Sequence, residues 1–478
     1  MKKLNLYFSR LLEKFWFSFS VVVFLGALAI KAMYSMDDFP YFQKNGIWDL
    51  VLTAAMIALL LAVFRKKEMI EKKLNYMFLF LFFGGLGCLF LFLVPLRPFS
   101  DMQYVAEGAL QIAAGNVDGI LQSDYLQMIT KNLKVSLFYA CFAVCLPKYV
   151  ISLRMINVLL YLVISFFMGK IGKNLNHNYP KMIFLLTASY LPLFLYCNHI
   201  YFDLPVLCMC VVSVYIYTSG RDWKQLVLSA VFLGIGISMR ELAYVFALAM
   251  AVDYILHDKV RSVRENVKKW FAFFIFVCVI LMIPKATDKI TDTFFRVEGA
   301  ESESIWTQFW MGINEEEFGF MHNEIYDGQK DFNDFYTLLT SRSVKQNIHL
   351  FGRKIFWTWT QGTYQAQRYG FGNDAEQSSD KFDYETAATK YLCKDIQRGR
   401  KIINLVCRAQ YLALFFFMTV GLFSMEQERE AYRIFLYVMV LTFMILVFYE
   451  MKSRYILHCI IPMMMYALRG LRLSDRIS

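Results

Sequence analysis

The stretch "YMFLFLFFGGLGCLFLFLVPLRPFSD" (residues 76–101) contains an unbroken apolar run that ends in a short polar turn. A helix needs about 20 apolar residues to cross a bilayer, and this run has that length. Arg97 and Asp101 follow the run directly, although a plain connecting loop does not need two charged residues there. The stretch therefore predicts a membrane helix that leads into a polar site at the membrane surface.

The composition places the whole chain in the same class. Of 478 residues, 58% are hydrophobic and 17% are aromatic, and the mean hydropathy of +0.41 is too high for a soluble domain of this size. The net charge of +11 resides in short basic loops between apolar runs, which is the positive-inside pattern of a membrane protein and does not indicate nucleic-acid binding. We expect an all-α polytopic membrane protein in contact with the lipid bilayer.

The apolar runs predict about 12 transmembrane helices. They lie at 15–34, 48–64, 76–96, 152–169, 181–198, 204–219, 223–240, 241–257, 270–284, 404–424, 432–449 and 454–469. Residues 133–150 are also apolar but contain Pro147 and Lys148, so we interpret them as an interfacial helix; if they cross, the number is 13. The interfacial interpretation keeps every basic loop on the cytoplasmic side, together with both termini.

This topology divides the chain into three parts. Residues 1–284 form an N-terminal membrane domain with a large outward loop at 97–132, in which juxtamembrane helices are expected. Residues 285–401 form a small extracytoplasmic domain, and 402–478 form the C-terminal transmembrane helices. Within the small domain, near-helical spacing of apolar residues predicts one helix over 334–364. The face that packs on the membrane domain is expected to carry Leu338, Val344, Ile348, Ile355 and Trp359.

Polar residues recur where the predicted helices meet the outward loops. "YFDLP" (201–205) carries Asp203, "SMRELAY" (238–244) carries Arg240 and Glu241, and "YEMKSRYILHCIIP" (449–462) carries Glu450 and Arg454. Each also has a simple structural explanation: Asp203, like Asp101, can cap a helix, and the other two sets can form local ion pairs. Both interpretations stay open.

In their order along the chain, these motifs resemble the GT-C superfamily of integral-membrane glycosyltransferases, which includes protein O-mannosyltransferases and the aminoarabinose transferase of lipid A. "PFSDMQYVAEGALQIAAGN" is similar to the setting of the essential aspartate in the family's first outward loop, with Asp101 at that place. "ISLRMINVLLYLV" (151–163) is similar to the Arg-x-x-Asn start of the next span, whereas "LQSDYLQMITKNL" (121–133) lacks the proline found in Gram-positive members. The "YFDLP", "GIGISMRE" (234–241) and "EMKSRYILHCIIP" stretches also resemble family motifs.

The resemblance implies that a sugar moves from a polyprenyl-phosphate donor, of the undecaprenyl-phosphate type, to an extracytoplasmic acceptor such as a cell-envelope glycan, lipid or protein. The enzyme then resides in the cell membrane with its active site on the extracytoplasmic side. A base is needed for the acceptor hydroxyl, and cations are needed for the donor phosphate. The catalytic candidates are Asp101 and Asp203. The substrate-binding candidates are Arg97, Tyr104, Arg240, Glu241, Lys354, Glu450, Arg454 and Tyr455.

Other functions stay open at this point. A many-span polysaccharide polymerase has the same general features, and a lipid or polysaccharide transporter or a non-enzymatic scaffold are further alternatives. Transporters tend to carry charges near the bilayer midplane and to have duplicated halves, whereas this sequence concentrates its charges at helix ends. No organic cofactor and no metal-ligand set is predicted, and a requirement for a divalent metal is left open.

The predicted topology can be tested by labelling introduced cysteines with a membrane-impermeant thiol reagent. A thiol introduced within residues 372–380 is expected to react from outside the cell, whereas a thiol within 65–73 reacts only after the membrane is permeabilised. The reverse pattern contradicts the orientation on which every site assignment depends.

Overall fold

The structure is a computed structural model that describes residues 2–35, 39–116, 120, 123, 125–126, 129–220, 222–256, 263–295, 304–315, 318–320, 330–372, 381–394, 396–423 and 429–477. These residues are mostly helical. The helices of the first half are α1 (Lys2–Ala29), α2 (Ile47–Arg65), α3 (Lys67–Lys73), α4 (Tyr76–Leu93), α5 (Asp101–Ala113), α6 (Thr130–Ala143), α7 (Val150–Asn174), α8 (Pro180–Ala188), α9 (Leu191–Leu195), α10 (Asp203–Gly220), α11 (Trp223–Met239) and α12 (Tyr244–Leu256).

The second half continues with α13 (Val263–Phe295), α14 (Ile305–Gly312), α15 (Phe332–Thr340), α16 (Val344–Gln361), α17 (Ala366–Phe371), α18 (Ala387–Lys394), α19 (Ile396–Phe423), α20 (Arg429–Phe448) and α21 (Ile460–Ile477). Short 3₁₀ turns occupy Tyr196–Asn198, Glu241–Ala243 and Ser453–Cys459.

The chain is a multi-pass membrane protein. In the part of the chain that is described, nine helices are long and apolar enough to cross a membrane, or ten if the bent pair Pro180–Ala188 and Leu191–Asn198 counts as one span. The predicted spans 223–240 and 241–257 correspond to α11 and α12, which have only 17 and 13 residues. The number 12 therefore stays a prediction. α6 has 14 residues and is not among these spans, and the interfacial position of 133–150 also stays a prediction.

The opening stretch of the sequence forms α4 for identifiable reasons. Asn75 caps its start, because the Asn75 side chain accepts a hydrogen bond from the backbone N–H of Phe78 at 2.7 Å. The helix ends at Leu93, since Val94 precedes Pro95 and a residue before proline disfavours the helical conformation. Large apolar side chains remain exposed on α4, which suits a lipid-facing helix.

A β-hairpin departs from the all-α expectation. The predicted span 15–34 is wrong at its end, because α1 stops at Ala29 and strand β1 (Ile30–Tyr34) follows. β1 pairs antiparallel with β2 (Pro40–Lys44). Hydropathy could not predict this change, since five residues are too few to separate a strand from the last turns of a helix.

The helix predicted over 334–364 is also wrong as a single element. It is divided into α15 and α16, because Ser343 and Gln346 form a capping box that starts a new helix. Val344 and Ile348 are 75% and 65% exposed, so the predicted packing face is wrong at those positions. Trp359, by contrast, is fully buried.

The chain forms two compact units, and each consists of segments that are distant in sequence. Unit 1 contains Met1–Asn5, Val63–Ser302 and Ala366–Lys401. In unit 1, α11 packs against α10 and α13, α7 packs against α8 and α10, and α5 packs against α6.

Unit 2 contains Leu6–Ala62, Glu303–Gln365 and Ile402–Ser478. A hydrophobic cluster in unit 2 joins the hairpin to α16 through Ala32, Phe318, Phe320, Trp357 and Met451.

Two glycines let α19 and α21 approach closely within unit 2. A Cβ atom at Gly421 would overlap the backbone oxygen of Tyr466, and one at Gly470 would overlap the backbone oxygen of Phe417. Small residues of this kind allow membrane helices to pack backbone to backbone.

Gly470→Ala is therefore expected to destabilise the protein by about 1–3 kcal/mol, because the added methyl group forces the two helices apart. Gly352→Ala in α16 is the matched control, since a Cβ atom there meets nothing within 4 Å. Thermal unfolding in detergent measures both variants. An unfolding temperature of Gly470→Ala equal to that of the control contradicts the close approach.

Candidate active site

Asp101 is the first residue of α5, and a strained residue precedes it. Ser100 occupies the N-cap position with φ 51°, a conformation that is uncommon for a residue other than glycine. The Ser100 side chain makes no capping hydrogen bond. Because Ser100 holds the N-cap position, the helix-cap explanation does not account for the place of Asp101.

Two tyrosine hydroxyls contact the Asp101 carboxylate. Tyr201 donates to Asp101 Oδ2 at 3.0 Å, and Tyr125 also hydrogen bonds to Asp101. The Tyr125 oxygen in turn accepts from Asn132 Nδ2 at 2.8 Å, and its ring stacks on Tyr104 with 4.1 Å between the ring centroids. Burial and the charge of Asp101 raise the pKa of Tyr125 well above its ordinary value, so this phenol keeps its proton and acts as a donor.

The turn at residues 196–203 positions the second predicted carboxylate. His199 Nε2 lies 2.8 Å from Asp203 Oδ2, and both residues are buried. The Tyr369 ring covers His199, with 4.0 Å between the ring centroids. Asn157 Nδ2 donates to the His199 backbone oxygen at 2.8 Å and so fixes the turn to α7.

Asp101 and Asp203 therefore belong to one side-chain network of unit 1. Tyr201 contacts Asp101, while His199, in the same turn, contacts Asp203. His199 Nδ1 also lies 2.7 Å from the sulfur of Met102, the residue after Asp101. The sequence predicted the two aspartates, but not the tyrosines and the histidine that hold them.

Two arginines of unit 1 differ in how their charges are compensated. Arg97 Nε lies 3.3 Å from Asp383 Oδ1, and both side chains are about half exposed. Arg154, in α7, is 1% exposed. Its Nε and Nη2 atoms have no hydrogen-bond partner within the described ranges, although the charge of Asp383 acts on it.

Arg154 is a residue that the sequence reasoning missed. The "ISLRMINVLLYLV" motif was recognised, but Arg154 itself received no role. The available signal was an arginine near the start of an apolar span, where a charge is costly and usually functional.

Arg240 and Glu241 lie side by side in the chain but in different environments. The Arg240 guanidinium is 4.3 Å from the ring centroid of Phe202 and is largely buried, whereas Glu241 is exposed. The ring contact places Arg240 beside the turn that carries Asp203.

Unit 2 contains a separate charged cluster around Glu450. The Glu450 carboxylate accepts from the Tyr455 hydroxyl at 2.6 Å and lies 2.5 Å from Lys452 Nζ. Burial opposes its ionisation, but Lys452, Tyr455 and Arg454 outweigh that effect, so the pKa of Glu450 lies below its ordinary value. The direct ion-pair partner is Lys452, which the sequence reasoning missed; Arg454 acts on Glu450 through its charge.

Lys354 is fully buried in unit 2. Its Nζ atom donates to the backbone oxygens of Gly312 and Tyr449. Burial lowers the pKa of Lys354 to about 7, and the charge of Glu450 opposes that shift. These contacts tie the end of α14 to the end of α20, and a role for Lys354 in substrate binding stays a prediction.

The predicted site residues thus form two groups. Unit 1 holds Arg97, Asp101, Tyr104, Asp203, Arg240 and Glu241, and unit 2 holds Lys354, Glu450, Arg454 and Tyr455. Across the residues that the structure describes, no group of three or more His, Cys, Asp or Glu side chains could hold a metal ion.

A comparison with protein families identifies a partial match. Residues 131–286 match the family described as dolichyl-phosphate-mannose-protein mannosyltransferase. The match includes Arg154, Asp203 and Arg240, and Asp101 precedes it. No curated protein and no solved structure matches the chain.

Proposed function

We propose that the chain is a membrane glycosyltransferase of the GT-C type that transfers a sugar from an undecaprenyl-phosphate-type donor to an extracytoplasmic acceptor. The match of residues 131–286 to a mannosyltransferase family supports this proposal. The acceptor is a cell-envelope glycan, lipid or protein. The observation that carries the proposal is a carboxylate held by two phenols in the same unit as a buried arginine with unpartnered nitrogens. The carboxylate can act as a base, and the arginine can bind an anionic substrate.

Asp101 is the general base in this proposal. Its carboxylate removes the proton from the acceptor hydroxyl while the acceptor oxygen forms a bond to the anomeric carbon of the sugar. The bond between that carbon and the phosphate oxygen breaks, and the polyprenyl phosphate leaves with the electron pair. Because positive charge develops at the anomeric carbon, a nearby carboxylate also stabilises the transition state.

Arginines of unit 1 bind the donor phosphate. Arg154 is the strongest candidate, since a buried guanidinium with unpartnered N–H groups is costly and an anion removes that cost. Arginine also matches phosphate geometry, because its N–H groups can donate in pairs. Arg97 and Arg240 are further phosphate ligands in this proposal.

The remaining predicted residues have supporting roles. Asp203, paired with His199, orients the turn that carries Tyr201 and contributes to acceptor binding, and Glu241 and Tyr104 offer polar groups to the sugars. In unit 2, Arg454 and Tyr455 are proposed substrate-binding residues, and Glu450 fixes Tyr455 through its hydrogen bond.

The active site faces the extracytoplasmic side in this proposal. The basic loops at 65–73 and 259–269 favour the cytoplasm, which assigns the segment around Asp101 to the opposite side. A lipid-linked sugar is then the suitable donor, because its polyprenyl chain keeps the activated sugar at the membrane.

Asp101→Asn is expected to reduce turnover by about 10²–10⁴-fold, because the amide cannot accept the acceptor's proton. The assay uses purified protein in liposomes with cell-envelope extract as acceptor. It measures the release of polyprenyl phosphate from a panel of polyprenyl-phosphate mannose, glucose and arabinose.

The substitution also separates catalysis from folding. Asparagine has nearly the same shape as aspartate and its side-chain oxygen can still accept from the Tyr201 hydroxyl, so Asp101→Asn is expected to remain folded, which its unfolding temperature measures. Near-normal transfer by this variant contradicts the assignment of Asp101 as the base.

Arg154→Met is expected to raise the KM for the donor about 10–100-fold, since a charge-assisted contact is worth about 1.5–3 kcal/mol. Lys134→Met is the matched control: it removes a cation that pairs with Asp288 in the same unit. The control leaves the donor KM unchanged. A donor KM of Arg154→Met within twofold of the wild type excludes Arg154 from the phosphate site.

A further inference from the structure

We infer that Tyr125 and Tyr201 are positioning residues of the transfer reaction, whose hydroxyls hold the Asp101 carboxylate ionised and in one orientation. The inference rests on the proposed function, in which Asp101 is the general base. Both tyrosines lie in stretches that resemble family motifs, but neither was predicted as a site residue, because their contacts with Asp101 join separate segments of the chain.

Tyr201 is a fixed donor. Its side chain is 4% exposed, and its ring lies against Phe202 with 4.2 Å between the ring centroids. Its backbone oxygen is 3.1 Å from the hydroxyl of the buried Tyr139. Because both the ring and the backbone are held, the Tyr201 hydroxyl cannot leave Asp101 without moving the turn.

Tyr125 is a fixed donor for a different reason. Its oxygen accepts a hydrogen bond from Asn132 Nδ2, so its single proton is available for Asp101. Asn132 is itself buried at the start of α6, and the Tyr104 ring stacks on the Tyr125 ring. The chain of contacts therefore runs from Asn132 through Tyr125 to Asp101.

Two donors from two separate segments have two effects on a carboxylate. They restrict its rotation about the last side-chain bond, so the carboxylate has one orientation before the acceptor binds. They also favour the ionised form, because hydrogen bonds to a carboxylate are stronger than hydrogen bonds to a carboxylic acid. The base is thereby weaker, but it is ionised and oriented before the acceptor binds.

Other charged groups lie on α5 and on the elements that pack against it, and they do not change when a phenol is removed. They lie on α5 itself and the turn before it, on α6, on α7 and on the turn that precedes α10: Arg97, Glu107, Lys131, Lys134, Arg154, His199 and Asp203. Tyr104, which stacks on Tyr125, and Tyr139 of α6 are further titratable groups on these elements. A change caused by Tyr→Phe substitution therefore reports the loss of one hydroxyl.

The test compares Tyr125→Phe and Tyr201→Phe with the wild type in liposomes. Dicyclohexylcarbodiimide reacts with protonated carboxyl groups, so the pH dependence of Asp101 labelling, followed by peptide mass spectrometry, measures its protonation without any substrate. In each variant the midpoint is expected to move upward by about one pH unit, which is tenfold in proton affinity. The acid limb of the pH profile of turnover with polyprenyl-phosphate mannose is expected to move upward by the same amount. The KM for the donor changes by less than about twofold.

Tyr161→Phe is the matched control. It removes a buried hydroxyl of unit 1 that donates to the Ala188 backbone oxygen and contacts neither Asp101 nor Tyr201. Its labelling midpoint is expected to equal that of the wild type, even if its unfolding temperature falls. If the labelling midpoint of this control shifts as far as those of the two tyrosine variants, the inference is overturned, because a general loosening of the packing in unit 1 then explains the result.

An unchanged midpoint in Tyr125→Phe or Tyr201→Phe overturns the assignment of that tyrosine. The labelling does not depend on turnover, so this failure is distinct from failure of the proposed function. Near-normal transfer by Asp101→Asn defeats the proposed base. An inactive Asp101→Asn together with unshifted midpoints defeats the tyrosine assignment alone.

Discussion

The buried amide of Asn157 holds the turn on which both carboxylates of unit 1 depend. Its Nδ2 donates to the His199 backbone oxygen at 2.8 Å, and its Oδ1 accepts from the Tyr139 hydroxyl at 2.6 Å. A buried amide without partners is costly, so this arrangement has few alternatives of similar energy. Because the turn is fixed, Tyr201 reaches Asp101 and His199 reaches Asp203.

The charged side chains of this network have different kinds of partner, and each kind fits a different role in the reaction. Asp101 is held by phenols, Asp203 by His199, and Arg97 by Asp383. Phenols donate without carrying charge, so they orient a carboxylate and leave its negative charge available to a developing cation. Arg154 instead has nitrogens with no partner in the described parts of the chain, which is the arrangement that an anionic donor would complete.

Sequence patterns predicted the local features well and the long-range contacts poorly. The run at 76–96 became α4, and the place of Asp101 after it was evident from its polarity. The hairpin after α1 was missed because hydropathy is similar for short strands and helix ends. Contacts such as that of Arg97 with Asp383 join residues 286 positions apart, and no local pattern encodes them.

The most direct measurement of the central claim is mass spectrometry of polyprenyl-linked sugars from cells with and without the protein. In cells without the protein, one polyprenyl-phosphate sugar is expected to accumulate, and the same sugar is expected to disappear from one cell-envelope component. Restoring the wild type reverses both changes. Unchanged levels of every polyprenyl-phosphate sugar, together with an unchanged cell-envelope sugar composition, would contradict the account.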